Sequence, residues 1–230
     1  MILVLGDSWT DGYGIDKKKS WPSLLAKITK REVSTVAHCG TDNETICDYA
    51  VDNIVKYKPE ICIIGWSGIT RIKQSDIPYI QFSLSQVPEE DTTNRAEYFA
   101  NCTLDKIREN WLWQINTVKQ ACKNTKLIMF SVFGDQHLLG TDDLLKISML
   151  EYLADRQNTQ LQYHIPVFEF DFLHEDNKVA EEFASREFDK NWQRACVERE
   201  DLRGTKFFLD CGHPTSAAHM AWAKYMSKQI

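Results

Sequence analysis

The 230-residue chain is 43% hydrophobic with 7 Trp, 8 Tyr and 11 Phe, the composition of a folded globular protein with a sizeable core. A net charge of −6, with no basic tract beyond Lys17-Lys18-Lys19, argues against nucleic acid and membrane surfaces as partners. Seven cysteines, odd in number and without a C-x-x-C pair, argue against a disulfide framework or a structural zinc site and for reduced thiols in a cytoplasmic setting.

The first element is the apolar run Ile2 to Leu5, which stops at Gly6-Asp7-Ser8. It reads as a buried strand that delivers Ser8 into a turn at the edge of a sheet. A polar loop with Asp11, Gly12 and Gly14 follows. A helix then starts at Ser20-Trp21-Pro22 and runs to Lys30. Val33 to Ala37 is a second strand, and Thr41 to Thr45 is the polar loop after it. Ile46, Ala50, Val51, Ile54 and Val55 have helical spacing up to Lys58-Pro59. Ile61 to Ile64 is a third strand, apolar throughout, running into Gly65-Trp66-Ser67-Gly68.

Residues 74–94 break the pattern and read as an insertion or lid. Phe99 to Cys122 carries one apolar helical face, and Leu127 to Val132 is a fourth strand. A helix is expected over Asp142 to Asp155 and a short fifth strand over Pro166 to Phe170. A second insertion spans 171–206, including the charged stretch Asn177 to Arg199, and the last helix runs from Pro214 to Lys228. No stretch reaches the ~18 apolar residues of a membrane helix. No signal peptide precedes the first strand, so a cytoplasmic location is expected, with carriage in a larger particle such as a virion as the alternative. Alternating strands and helices predict one α/β domain over residues 1–230: a parallel sheet between two helix layers.

Asp210-Cys211-Gly212-His213-Pro214 precedes the last helix. A serine needs a base to take its proton, and a carboxylate that orients the base improves it. In a tight turn Asp210 would reach one ring nitrogen of His213 and leave the other for Ser8. The competing reading makes Asp210 a helix cap and His213 a surface residue.

Gly6-Asp7-Ser8 on an N-terminal strand end, together with Asp210-x-x-His213 before the last helix, resembles the GDSL or SGNH hydrolase family. The resemblance implies a flavodoxin-like three-layer α/β/α sandwich with a central parallel five-stranded sheet and an ester-hydrolysing activity. It implies Ser8 as nucleophile and backbone oxyanion donor, His213 as base and acid, and Asp210 as the orienter. Two middle blocks depart from the family. In His38-Cys39-Gly40-Thr41-Asp42-Asn43-Glu44-Thr45, Asn43 stands where the family places the oxyanion glycine. Asn43 is expected to keep a backbone N–H donor there, with Gly40 as the hinge of the loop. In Gly65-Trp66-Ser67-Gly68, Ser67 replaces the family's donating asparagine.

Ser67 is expected to supply a shorter, rotatable hydroxyl in its place. Arg71 is a candidate for stabilising negative charge, against a surface role. Asp7, Trp9 and Trp66 are candidate substrate contacts, the two indoles as an apolar wall, with core packing as the competing role. Cys39 and Cys211 read as small buried packing groups, and His219 as packing or capping. No metal ligand set or cofactor is expected. The expected substrate is a small-molecule or carbohydrate ester, with O-acetyl sugars as one version. An acyltransferase would use the same residues. A non-catalytic binding module on the same fold competes with the enzyme reading. So does a flavin or nucleotide protein, though Asp7 and Asp11 would repel a phosphate in the first loop.

Overall fold

A computed structural model describes residues 1–68, 71–73, 81–82, 104–134, 142–157 and 203–230. Its centre is a parallel sheet of β1 (Ile2–Gly6), β2 (Val33–Ala37), β3 (Ile61–Trp66) and β6 (Lys126–Ser131), in the order β2-β1-β3-β6. Two short strands, β4 (Ile72–Lys73) and β5 (Gln81–Phe82), pair antiparallel to each other. The helices are α1 (Ser8–Asp11), α2 (Trp21–Thr29), α3 (Asn43–Tyr57), α4 (Leu104–Ala121), α5 (Met149–Gln157) and α6 (Ser216–Met226).

Side chains alternate across β1 and thereby build two cores. Ile2 and Val4 face one cluster with Trp21, Leu25, Leu153 and Trp222, so α2, α5 and α6 cover that side. Leu3 and Leu5 face the other with Ile46, Ala50, Trp111 and Val118, so α3 and α4 cover the opposite side. The architecture is the expected three-layer α/β/α arrangement. Four strands of the parallel sheet are described. Beyond β6, Leu144 adds a single parallel bridge to Met129 at the edge. The strand expected over Pro166 to Phe170 and most of the 74–94 and 171–206 insertions lie outside the described residues.

Three local expectations change. The loop after Ser8 contains α1, which the Asp7 carboxylate caps by accepting from Trp9 N–H, and which Gly12 ends at φ 79°. β3 runs two residues further than its apolar core, through Gly65 and Trp66. The helix expected from Asp142 starts only at Met149, because Ser148 and Glu151 form a reciprocal capping box at 3.1 and 2.9 Å. The signal for it, Ser-x-x-Glu, is present in the sequence.

The chain leaves β1 toward β2 on one side, then crosses to β3 on the other. The carboxyl ends of β1 and β3 therefore flank the point where the order reverses, where α/β sheets bind ligands. Two glycines let α1 settle into this point. A Cβ on Gly6 would overlap the Thr10 side chain, and one on Gly65 would come within 2.6 Å of the Phe130 ring and 3.2 Å of Thr10 Oγ1.

Candidate active site

Ser8 opens α1 and is only 2% exposed. Its hydroxyl lies 3.0 Å from Nε2 of His213, 205 residues away. The turn that presents His213 is closed by its backbone. Leu209 N–H donates to His213 O and Gly212 N–H to Leu209 O, both at 2.8 Å, and Phe208 bridges Pro214. Gly212 makes this turn at φ 78°, where a side chain is strained. Thr215 then caps α6.

Asp210 lies in the same turn, but its carboxylate is exposed and makes no hydrogen bond to the His213 ring. Its Oδ1 sits beside Gly204, where a Cβ would approach to 2.8 Å. The sequence spacing thus brings Asp210 close in the chain without placing its carboxylate on the imidazole.

The loops after β1, β2 and β3 are tied together by side chains. Asp7 is fully buried. Its Oδ2 accepts from Ser67 Oγ at 2.8 Å and from Arg71 Nη1 at 3.2 Å, and Arg71 Nη1 also donates to Ser67 Oγ at 2.5 Å. Asn43 ties β3 to the start of α3. Its Oδ1 accepts from Ser67 N–H at 2.8 Å, and its Nδ2 donates to the carbonyls of Ser67 and Gly68 at 3.0 and 3.3 Å. Asp42 caps α3 by accepting from Thr45 N–H at 2.8 Å. Gly40 turns the preceding loop at φ 85°.

Several expected roles change with this geometry. Ser67 has one hydroxyl proton, and the Asp7 carboxylate holds it, so Ser67 does not stand as a third oxyanion donor here. Asp7 is no substrate contact: its buried carboxylate is taken up by Trp9 N–H, Ser67 and Arg71. Arg71 is neither a surface residue nor a substrate contact in this arrangement. It is the half-buried ion-pair partner of Asp7, with its guanidinium 5.7 Å from the centre of the Phe133 ring.

Trp9 and Trp66 form no wall, because both are buried. Trp9 packs edge-on to Phe133 at 5.2 Å, and Trp66 packs edge-on to Trp111, also at 5.2 Å. Cys39 and Cys211 are exposed rather than packed inside. Neither the backbone N–H of Asn43 nor that of Ser8 finds an acceptor among the described residues.

Two residues behind the site complete it. His219 on α6 accepts from the Trp21 N–H at 3.1 Å through Nδ1 and so caps the first turn of α2. Burial, reinforced by nearby His213, pushes its imidazole down to about 3. Tyr13, which no motif singles out, packs against His213 with ring centroids 4.8 Å apart and the planes tilted by 47°. Only its place one residue after the αL Gly12 hinted that it lies near Ser8. Among the described residues no cluster of His, Cys, Asp and Glu could hold a metal, and no helix is long and apolar enough to cross a membrane.

No family model and no curated protein sequence matches the chain. Solved structures do. The chain is similar to several of them. One is described as a lipolytic protein of the G-D-S-L family from Desulfitobacterium hafniense DCB-2, at 15% identity and a TM-score of 0.48, over 100% of this chain and 98% of that one. Another is TesA, at 14% identity and a TM-score of 0.47, over 98% and 96% of the two chains. A third is the psychrotrophic esterase EstA from Pseudoalteromonas sp., at 14% identity and a TM-score of 0.43, over 99% and 96%.

Proposed function

We propose that the protein is a serine esterase. The observation that carries this reading is the Ser8 Oγ to His213 Nε2 separation of 3.0 Å at the carboxyl edge of a parallel sheet. At that distance the imidazole can take the hydroxyl proton as Oγ attacks an ester carbonyl carbon. The carbonyl oxygen gains the negative charge, and the backbone N–H groups of Ser8 and Asn43 are the donors for it. Collapse of the tetrahedral adduct breaks the bond to the alcohol, which leaves with the proton from His213. Water, deprotonated by the same ring, then attacks the acyl-enzyme, releases the carboxylic acid and restores Ser8. No cofactor enters this sequence. The substrate class is a small-molecule or carbohydrate ester, and an acyltransferase would differ only in replacing water by another acceptor.

Intact-mass measurement after fluorophosphonate treatment tests this. A single adduct on the wild type and none on Ser8→Ala is the expected result. No adduct on folded wild type would sink it. The second reading, a non-catalytic binding module, is favoured by one observation: the Ser67 proton points to Asp7 instead of toward a developing oxyanion.

A further inference from the structure

Among the described residues, the exposed ring of Tyr13 lies against the base. Tyr13 is 48% exposed, and its ring meets that of His213 at 4.8 Å with an interplanar angle of 47°. The backbone prepares this contact. Tyr13 N–H turns back to the Ser8 carbonyl at 3.0 Å, so the turn that carries the serine also carries the phenol. Gly14, at φ 81°, then lets the loop press on the turn that holds His213, since a Cβ there would come within 2.8 Å of Leu209 Cδ1. Among the described residues, the groups near His213 include Ser8 at Nε2, Asp210 in its own turn, exposed and not bonded to the ring, and His219 further along α6.

We infer that Tyr13 is a positioning residue for His213. Its π face keeps the imidazole in line with Ser8 Oγ and stabilises the imidazolium that forms when Ser8 gives up its proton. An aromatic face attracts a cation and repels none of the neutral ring's packing, so the effect favours the protonated state that follows attack. The role that the family pattern gives to Asp210 is thereby shared with a ring from the opposite end of the chain. This inference rests on the Ser8–His213 reading.

Three full-length variants test it: Tyr13→Phe, Tyr13→Leu and Asp210→Asn. The leucine keeps apolar bulk and removes the π system. In an NMR titration of the His213 ring, Tyr13→Leu should lower the pKa by about half a unit, and Tyr13→Phe should recover most of that shift. Fluorophosphonate labelling of Ser8 should slow about 3-fold in Tyr13→Leu, be rescued by Tyr13→Phe, and change less in Asp210→Asn. A wild-type titration in Tyr13→Leu, or a larger drop in Asp210→Asn, would overturn the inference. The titration needs no turnover. A Tyr13-dependent shift in a protein that fluorophosphonate never labels would therefore sink the esterase reading and leave the contact standing.

Discussion

The Ser67 hydroxyl donates to the Asp7 carboxylate across 2.8 Å, and this bond joins the end of β3 to the residue before Ser8. Its first consequence concerns rate. Losing a direct oxyanion donor costs about 10²–10³ in kcat. Losing a bond that only holds Asp7 should cost much less. Ser67→Ala is expected to lower kcat by less than about 10-fold while lowering stability by about 2 kcal/mol, the scale of a hydrogen bond to a charged group. Paired thermal melts and ester kinetics would show this. A 100-fold loss of kcat with an unchanged Tm would return Ser67 to the oxyanion site.

Arg71 is the cation that faces a fully buried carboxylate. Removing one partner of such a pair leaves the other uncompensated, at a cost of about 3 kcal/mol. Arg71→Met should therefore unfold at clearly lower urea. Arg71→Lys should recover only part of the loss: both bonds come from the single nitrogen Nη1, and the more strongly hydrated ammonium is costlier to hold beside the buried carboxylate. Wild-type stability in Arg71→Met would refute the ion pair's part in holding this network.

Asn43 holds Ser67 and Gly68 with its side chain, while its proposed catalytic contribution is a backbone N–H. Asn43→Ala keeps the N–H and strands buried partners at β3, each costing about 1–3 kcal/mol. The expected outcome is a protein less stable by about 3 kcal/mol that still labels at Ser8, more slowly than the wild type. Complete loss of labelling in a folded Asn43→Ala protein would show that the side chain acts in the chemistry itself.

His219 predicts a pH dependence of stability. Its folded value is about 3, against an ordinary 6.5 when unfolded. Above 6.5 neither state is protonated there, and the contribution is fully present. As pH falls from 6.5 toward 3, the unfolded ring binds a proton that the buried ring refuses, so stability is lost progressively, by up to about 5 kcal/mol at 1.36 kcal/mol per unit. His219→Leu should be less stable at pH 7, having lost the acceptor for Trp21 N–H, and should show a shallower decline between pH 6.5 and 4. Parallel slopes for the two proteins in urea titrations across that range would rule this out.

The elements that the sequence marks clearly are those with unmixed signals. β2 begins and ends where the sequence places it, at Val33 and Ala37, and the apolar periodicity of α4 places Trp111, Ile115 and Val118 in one core. The pairing of Ser8 with His213 was legible because both stand in short blocks at predictable edges of the sheet. Side-chain destinations were harder. Trp9 and Trp66 sit beside the site in sequence, yet large apolar rings gain most by full burial, and each turns into a core. Asp7 and Arg71 are separated by two strand-to-helix crossovers, so nothing local announces their ion pair. The Tyr13 contact depends on two turns made at opposite ends of the chain, and no periodicity reports it.

On the esterase reading, the long separation of Ser8 and His213 also makes activity a report on completion. The base and the cap of α2 both arrive with α6, through contacts that span 205 and 198 residues. Contacts this distant form late, because closing so large a loop gains nothing until the intervening sheet is in place. On that reading Ser8 stays chemically silent until α6 docks. Sheet assembly and reactivity are thus separate events in time, and a refolding experiment that follows both should see the circular dichroism of the strands recover before the nucleophile awakens.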